Sequence, residues 1–327
     1  AFHEFMGSAL RGALVAVLRR TFCPEWRAER TDAAHRAICP VCRLLALEND
    51  TSIPGDVRRP YALIPPPDTQ PSYAVGDEFA FGLTLFGDSI QLLPYLLLTL
   101  GGMGEVGIGR RLANGKRGTF TVRQLDAINP FTGDVATMMA PGERMVQPVT
   151  VPVTHAHILA AATTLAAELA AHDNRLWVDF RTPLRLTPNH QRATTPDFFA
   201  FAKAAVLRVA DLSAQYGEGR PTLGGEPLAL KRDLYGHADA VQLLHNETHW
   251  WDLQGYSSRL QQKQVLGGLV GRACYQAPDW RPLLPWLLWG MSAGVGRNIV
   301  KGCGIYQLLS DADLMVDGMA DAATAAG

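Results

Sequence analysis

The feature that most constrains this chain is an apolar helical segment followed by a glycine-rich basic loop and a β-type segment, and it occurs twice. The second copy spans residues 280–308, WRPLLPWLLWGMSAGVGRNIVKGCGIYQL, and the first spans residues 92–122, LLPYLLLTLGGMGEVGIGRRLANGKRGTFTV. Glycine lets the backbone turn freely and approach a neighbour closely. A repeat at such a long period predicts two related domains, each ending in the same arrangement.

The basic residues of these two loops suggest a polyanionic ligand. Exposed backbone N–H groups beside cations can bind phosphate through charge-assisted hydrogen bonds. Alternatively, the second loop only packs the last helix against the last strand, and the two roles can coexist. The formal net charge is −1, so a nucleic-acid-binding surface must concentrate its positive charge locally. The candidates are Arg110, Arg111, Lys116 and Arg117 in the first loop, and Gly294, Gly296, Arg297, Lys301, Gly302 and Gly304 in the second.

Hydrophobic periodicity predicts the same order of elements in both halves. In the first half we expect a helix at 5–22, strands at 61–65 and 77–86, a helix at 92–100 and a strand at 119–128. One more strand is expected before the helix at 5–22 and is apparently missing. With that strand, the order is βαββαβ, the ferredoxin-like plan. In the second half we expect a strand at 176–186, a helix at 195–216, strands at 240–253 and 264–275, and a helix at 283–291.

The sequence therefore predicts an α+β chain with two tandem ferredoxin-like domains. We place the first domain at residues 1–150 and the second at residues 151–308, with the second glycine-rich loop. Residues 309–327 are small, acidic and aperiodic, and are predicted to be a flexible tail.

Cysteine usage argues against a secreted disulfide scaffold, because five cysteines is an odd number in a long chain. Cys23, Cys39 and Cys42 cluster, and His35 could complete the four ligands of a zinc site. A second CxxC pair is missing, so reduced thiols without a metal are the favoured interpretation and no cofactor is expected. Neither a long apolar run nor a signal-like start is present, which predicts a soluble, cytoplasmic protein with no membrane partner.

Four segments together resemble a known family. They are LRGAL at 10–14, FRTPLRL at 180–186, YSSRLQQKQVLGGLVG at 256–271 and GVGRNIVKGCG at 294–304. In this order they resemble the CRISPR-associated endoribonuclease that processes repeat transcripts, the Cas six family of the repeat-associated RAMP superfamily. The resemblance spans nearly the whole chain, and the glycine-rich loop is shared across the wider superfamily.

The resemblance implies tandem ferredoxin-like domains that bind CRISPR repeat RNA and cut it once in each repeat to give guide RNAs. It implies attack of the RNA 2′-hydroxyl on the adjacent phosphate without a metal, which leaves a 2′,3′-cyclic phosphate and a 5′-hydroxyl. It also implies subunits of a CRISPR effector complex as further partners.

Such a reaction needs a general base, a general acid and a cation near the developing phosphorane. Histidine suits both proton roles because its pKa lies near neutrality. Family members commonly place a catalytic histidine shortly after the first helix, and His35 is the nearest histidine downstream here. His3, at the head of the helix, is the second candidate. His35 could equally be a zinc ligand or a solvated loop residue.

Other basic residues on the resembling segments are candidate RNA ligands. Arg181 and Arg185 could face RNA or pair with Asp179 and other carboxylates, and both interpretations stay open. The full set outside the two loops is Arg11, Arg181, Arg185, Arg259 and Lys263.

Three alternatives to the nuclease remain. The first is a non-catalytic RNA-binding subunit of a CRISPR ribonucleoprotein, expected if His35 binds a metal and His3 is structural. The second is a backbone subunit of an effector complex, which typically has one ferredoxin-like core rather than two. A nucleotide-binding enzyme is disfavoured because GxxxxGKS/T is absent and neither glycine loop opens a helix after a strand.

Overall fold

A computed structural model describes residues 5–28, 31–45, 57–67, 70, 72–186, 194–219, 227–257 and 262–314. The chain forms two compact units. The first comprises the residues up to Thr154 with 211–220 and 300–302, and the second comprises the remainder. No helix within these ranges is both long and apolar enough to cross a membrane.

Unit 1 is built around its first helix, which begins at Gly7 and confirms the predicted N-terminal helix. Leu10, Leu14 and Leu18 recur at helical spacing, are almost fully buried, and face the unit's apolar core. The helices of this unit are α1 (Gly7–Phe22), α2 (Ala33–Ile38), α3 (Pro40–Leu45) and α4 (Leu93–Val106), the last preceded by a 3-10 segment at Gly87–Leu92.

The strands of unit 1 do not form the predicted ferredoxin-like sheet among the residues described. They form two separate antiparallel pairs, β1 (Tyr61–Ile64) with β2 (Gly82–Leu85) and β3 (Leu125–Ile128) with β4 (Val135–Met139). The strand predicted at 119–128 therefore starts later, and its partner β4 lies where no strand was predicted. The first part of the segment 119–128 has the sequence pattern of a strand because Phe120 and Val122 pack against the core of the unit.

Unit 2 contains a sheet in the strand order β11–β5–β10–β6, with every neighbouring pair antiparallel. With helices α6 and α8 as connections, the order along the chain is the predicted βαββαβ, and the α+β class is confirmed. Helices α5 and α7 and the hairpin β8–β9 are additions to it. The elements are α5 (His155–Ala170), β5 (Arg175–Leu184), α6 (Phe198–Tyr216), α7 (Pro227–Asp239), β6 (Gln242–Asn246), β7 (His249–Trp251), β8 (Gln254–Ser257), β9 (Gln262–Val265), β10 (Gly268–Gln276), α8 (Leu284–Ala293) and β11 (Tyr306–Leu309).

Aromatic side chains fill the core of unit 2. The Phe201 ring lies edge-on to Phe180 and to Tyr306, with centroid separations of 5.5 and 4.8 Å. Such edge-to-face pairs each contribute about 0.5–1.5 kcal/mol beyond their buried area. The Tyr306 hydroxyl, buried with its ring, donates a hydrogen bond to the Leu287 carbonyl at 2.5 Å. The sheet and the helix α8 are therefore joined by both packing and a satisfied polar group.

The start of the predicted tail packs against the sheet. Ser310 is buried, and Asp311 accepts a hydrogen bond from the Trp177 indole at 2.8 Å. The same carboxylate pairs with Arg175 at 2.8 Å. Residues 309–311 therefore belong to the fold, which corrects the predicted boundary, while residues 315–327 lie outside the described ranges.

Candidate nucleic-acid interface and a thiol–histidine cluster

The first glycine-rich loop forms a hairpin after α4, here called the basic hairpin (residues 107–118). Gly107 ends the helix with a φ of 74°, and a Cβ there would lie 2.5 Å from the Gly118 carbonyl oxygen, so only glycine fits without a shift. Ile108 and Gly118 form an isolated antiparallel bridge. Nearer the tip, the Leu112 N–H donates to the Lys116 carbonyl at 2.7 Å. Backbone bonds thus hold the loop as a defined turn.

The basic hairpin presents four exposed cations: Arg110, Arg111, Lys116 and Arg117. No acidic residue occurs in the sequence between Glu105 and Asp126. Among the described parts of the chain, Arg111, Lys116 and Arg117 take part in no ion pair with a carboxylate. A concentration of exposed positive charge on a chain of near-zero net charge favours a polyanionic ligand.

The second glycine-rich loop has a different structure, because it is largely buried. A Cβ on Gly304 would lie 1.8 Å from the Val295 carbonyl oxygen, and one on Gly296 would lie 2.7 Å from that of Arg185. The Val295 N–H donates to Gly304 at 2.9 Å, and the Gly304 N–H donates to Pro183 at 3.1 Å. The N–H groups of Val295 and Gly304 are used inside unit 2 and are not offered to phosphate, and phosphate binding by the rest of the loop stays a prediction. All four predicted glycines have positive φ, namely Gly294, Gly296, Gly302 and Gly304.

The two cations of the second loop differ in exposure. Lys301 is 9% exposed. Its backbone packs so closely on α1 that a Cβ added to Gly7 would lie 1.9 Å from the Lys301 carbonyl oxygen. A lysine buried in this way does not present its charge on an open surface, which argues against its predicted contact with RNA. Arg297 is exposed and remains a candidate.

A set of buried polar atoms surrounds the predicted RNA ligand Arg11. Ser8 Oγ, Arg11 Nε and Tyr61 Oη are buried, and none has a hydrogen-bond partner within the described ranges. The Arg11 guanidinium favours the ionised form of Tyr61, but burial dominates and raises the pKa of that hydroxyl.

The arginines of β5 are engaged by protein groups. Arg181 Nε lies 3.0 Å from the buried Asp179 carboxylate, and its Nη2 donates to Gln307 at 2.6 Å. Arg185 Nη1 donates to the Val265 carbonyl at 3.0 Å. For Arg181, pairing with Asp179 is therefore the observed arrangement. Lys263 is exposed on β9, and Arg259 lies outside the described ranges.

Three thiols and an imidazole, here called the thiol–histidine cluster, come together at the end of α1. Cys23 caps α1, His35 lies in α2, Cys39 follows α2, and Cys42 lies in α3. Their four candidate ligand atoms all lie within 4.8 Å of one another. Cys23 Sγ is 3.4 Å from His35 Nε2 and 3.9 Å from Cys42 Sγ.

The surroundings of the cluster hold the imidazole in place. His35 Nδ1 faces Glu25 Oε1 at 3.5 Å, and the His35 backbone N–H donates to Asp32 at 2.7 Å, which caps α2. Burial raises the pKa of the Cys23 and Cys42 thiols, and the neighbouring Cys39 sulfur adds to this effect.

This environment argues against His35 as the catalytic base. The residue is 8% exposed, and its two ring nitrogens face Cys23 and Glu25 rather than a surface open to RNA. A general base must come within hydrogen-bonding distance of the proton that it removes. His3, the second candidate, lies outside the described ranges.

An exposed basic hairpin on an α+β framework defines a candidate nucleic-acid-binding protein. Residues 178–306 match the family model described as CRISPR-associated endoribonuclease Cas6, and residues 1–151 match one described only as an N-terminal domain. The resemblance to the Cas6 family is therefore confirmed. Comparison with curated proteins finds no match.

The chain is similar to solved structures at low sequence identity, and one of them has a TM-score above 0.5. The Cas6 (TTHB231) product complex, of a protein from Thermus thermophilus, is 13% identical with a TM-score of 0.53, covering 94% of this chain and 96% of that chain. The Cas6 (TTHA0078) product complex is 14% identical with a TM-score of 0.48, covering 95% of each chain. A partial Cas6-RT-Cas1–Cas2 complex is 15% identical with a TM-score of 0.48, covering 94% of this chain and 44% of that chain.

Proposed function

We propose that this chain is an endoribonuclease that binds CRISPR repeat RNA and cuts the precursor once within each repeat to give guide RNAs. The family match over residues 178–306 supports the reaction class. The observation that carries RNA binding is the exposed basic hairpin. The similar Cas6 structure with a TM-score of 0.53 is a product complex, which supports RNA as a partner, and subunits of a CRISPR complex are further proposed partners.

The proposed cut uses the RNA as its own nucleophile. A base removes the proton of the 2′-hydroxyl, O2′ bonds to the adjacent phosphorus, and the bond from phosphorus to O5′ breaks as O5′ takes up a proton. The products are a 2′,3′-cyclic phosphate and a 5′-hydroxyl, and neither water nor a metal is consumed. Arg11, a half-buried cation on α1, is the proposed cation near the phosphorane. His3 is proposed for proton transfer on sequence alone.

The basic hairpin is proposed to bind the RNA backbone rather than to read bases. Flexible exposed cations neutralise phosphates and release condensed counterions, which makes affinity fall as salt rises. Such contacts set the position of the RNA, and recognition of the repeat then requires contacts with bases or with RNA shape.

Replacing Arg111, Lys116 and Arg117 together with alanine should weaken repeat-RNA binding by about 30-fold at low salt. Each lost phosphate contact to single-stranded RNA removes about 0.7 from the slope of log affinity against log salt, so the slope should fall by about 2. Fluorescence anisotropy with a labelled repeat RNA over a salt series measures both quantities.

The matched control removes the same amount of charge elsewhere. Arg43, Arg123 and Arg281 are exposed arginines that already pair with Asp88, Glu78 and Asp279. Their triple alanine variant should bind RNA within about twofold of the unchanged protein, because paired surface cations have fewer counterions to release. Equal affinity losses in the two variants would mean that overall charge, and not the basic hairpin, holds the RNA.

A non-catalytic RNA-binding subunit is the second candidate, and the burial of His35 in the thiol–histidine cluster favours it. Incubating the protein with a CRISPR repeat RNA and with a base-shuffled copy separates the two. The proposed nuclease binds the repeat and cuts it at one position, leaving the shuffled RNA intact. Selective binding without cutting would establish the second candidate, and equal treatment of both RNAs would contradict each.

A further inference from the structure

We propose that Cys23, His35, Cys39 and Cys42 bind one structural zinc ion. Zinc bonds of about 2.3 Å to sulfur and about 2.0–2.1 Å to nitrogen, at tetrahedral angles, place S and N ligands about 3.5 Å apart and two S ligands about 3.8 Å apart. The S···N and S···S separations are 3.4 and 3.9 Å, with all four ligand atoms inside 4.8 Å. These two separations match those of ligands that share one tetrahedral zinc ion, and the remaining ligand atoms lie close enough to join them after small side-chain shifts.

The donor chemistry also selects zinc. Three thiolates and an imidazole form a common zinc ligand set, and soft sulfur ligands exclude magnesium and calcium. Cys39 and Cys42 have the two-residue separation of a zinc-binding turn. The Glu25 carboxylate faces His35 Nδ1 at 3.5 Å, which leaves Nε2 to the metal. Metal-bound histidines typically have such a carboxylate behind them to fix the ring and its tautomer.

A zinc ion here would add to the packing of this part of the fold, where Val41, Leu44 and Leu45 of α3 are already buried in the apolar core. Helices α2 and α3 have six residues each, far below the length at which an isolated helix is stable in water. The four ligands connect the end of α1 to both short helices. With four protein ligands the ion has no open position for water or RNA, so its role is structural and the proposal does not depend on nuclease activity.

Two other states of the cluster predict different compositions. A disulfide requires two sulfurs about 2.05 Å apart. It would use two of the three thiols and leave the third as a free thiol beside His35. Free thiols would remain titratable and metal-free. Neither state requires the four ligand atoms to lie within 4.8 Å of one another, as they do here.

Zinc content of the purified chain tests the proposal directly. Protein prepared under reducing conditions should hold about one zinc per chain by mass spectrometry of the elements. The Cys39→Ser and Cys42→Ser variants should lose most of it. Cys274→Ser and Cys303→Ser, which alter buried cysteines outside the cluster, are matched controls that should keep it.

X-ray absorption of the unchanged protein keeps the test decisive if the cysteine variants fail to fold. It should show three sulfurs and one nitrogen around the metal, and cobalt substituted for zinc should give the strong visible bands of a tetrahedral thiolate site. Protein that is metal-free with all cysteines titratable, protein with a disulfide in the cluster, or zinc retained by Cys42→Ser would each overturn the proposal.

Discussion

Repeat RNA in which hydrogen replaces the 2′-hydroxyl at the cut should be cleaved at least about a thousandfold more slowly than unmodified RNA, which raises the barrier by about 4 kcal/mol. The reason is that this hydroxyl is the proposed nucleophile, and no other group of the RNA can form the cyclic phosphate. Affinity should change by less than about twofold, because phosphate contacts dominate binding. Single-turnover cleavage and equilibrium binding of the two RNAs provide both values.

The position of the modification supplies the control for this comparison. A single 2′-deoxy nucleotide placed several positions from the cut should leave the cleavage rate unchanged. Rapid cleavage of RNA with the 2′-deoxy nucleotide at the cut would show that an external nucleophile, such as water, attacks the phosphate, and the proposed mechanism would then be wrong.

The second large effect concerns His35, for which alanine and cysteine substitutions should have opposite results. His35→Ala leaves three thiols with an incomplete ligand set and should destabilise the first unit by about 3 kcal/mol. His35→Cys restores four zinc ligands, so it should keep the zinc ion and most of the stability. Thermal unfolding with zinc analysis of both variants measures these effects.

Cleavage by the two variants separates a zinc ligand from a catalytic base. His35→Cys should cut repeat RNA within about fivefold of the unchanged protein, because the imidazole serves the metal. Loss of a general base typically costs about 10²–10⁴ in rate. A His35→Cys variant that keeps its zinc and its affinity for RNA but no longer cuts would restore His35 as the catalytic residue.

The second unit was more predictable from sequence than the first. The period-two sequence pattern of residues 176–186 and the apolar helices at 195–216 and 283–291 predicted the βαββαβ order, because each pattern is typical of one buried face. In the first unit the same reasoning read Phe120 and Val122 as part of a strand. Apolar side chains that pack on a core produce this pattern with or without a ladder partner, so periodicity could not show that the sheet there is split.

The two glycine-rich loops show what spacing alone leaves undetermined. Gly107 and Gly304 both need a positive φ and both approach backbone closely, so their sequence signals are alike. Their surroundings differ, because the loop after α4 is exposed while the loop after α8 packs against neighbouring backbone. Burial decides whether a cation such as Lys116 or Lys301 can meet a ligand, and burial depends on contacts distant in sequence.

The thiol–histidine cluster was underestimated for a related reason. Zinc signatures in sequence depend on two close pairs of ligands, and here only Cys39 and Cys42 form such a pair. Cys23 comes from the end of α1 and His35 from a separate short helix. Only the folded chain brings their ligand atoms within 4.8 Å, which in turn removes His35 from the group of accessible histidines.

The measurement that most directly tests the central claim is the chemical identity of the ends produced from a precursor RNA with several repeats. Magnesium is omitted, and EDTA is added at the start of a short reaction. Zinc analysis of the recovered protein shows whether EDTA has removed the proposed structural ion during the reaction. We predict one cut in each repeat, with a 2′,3′-cyclic phosphate on one product and a 5′-hydroxyl on the other. Cuts outside the repeats, a requirement for magnesium, or 5′-phosphate ends would contradict the claim.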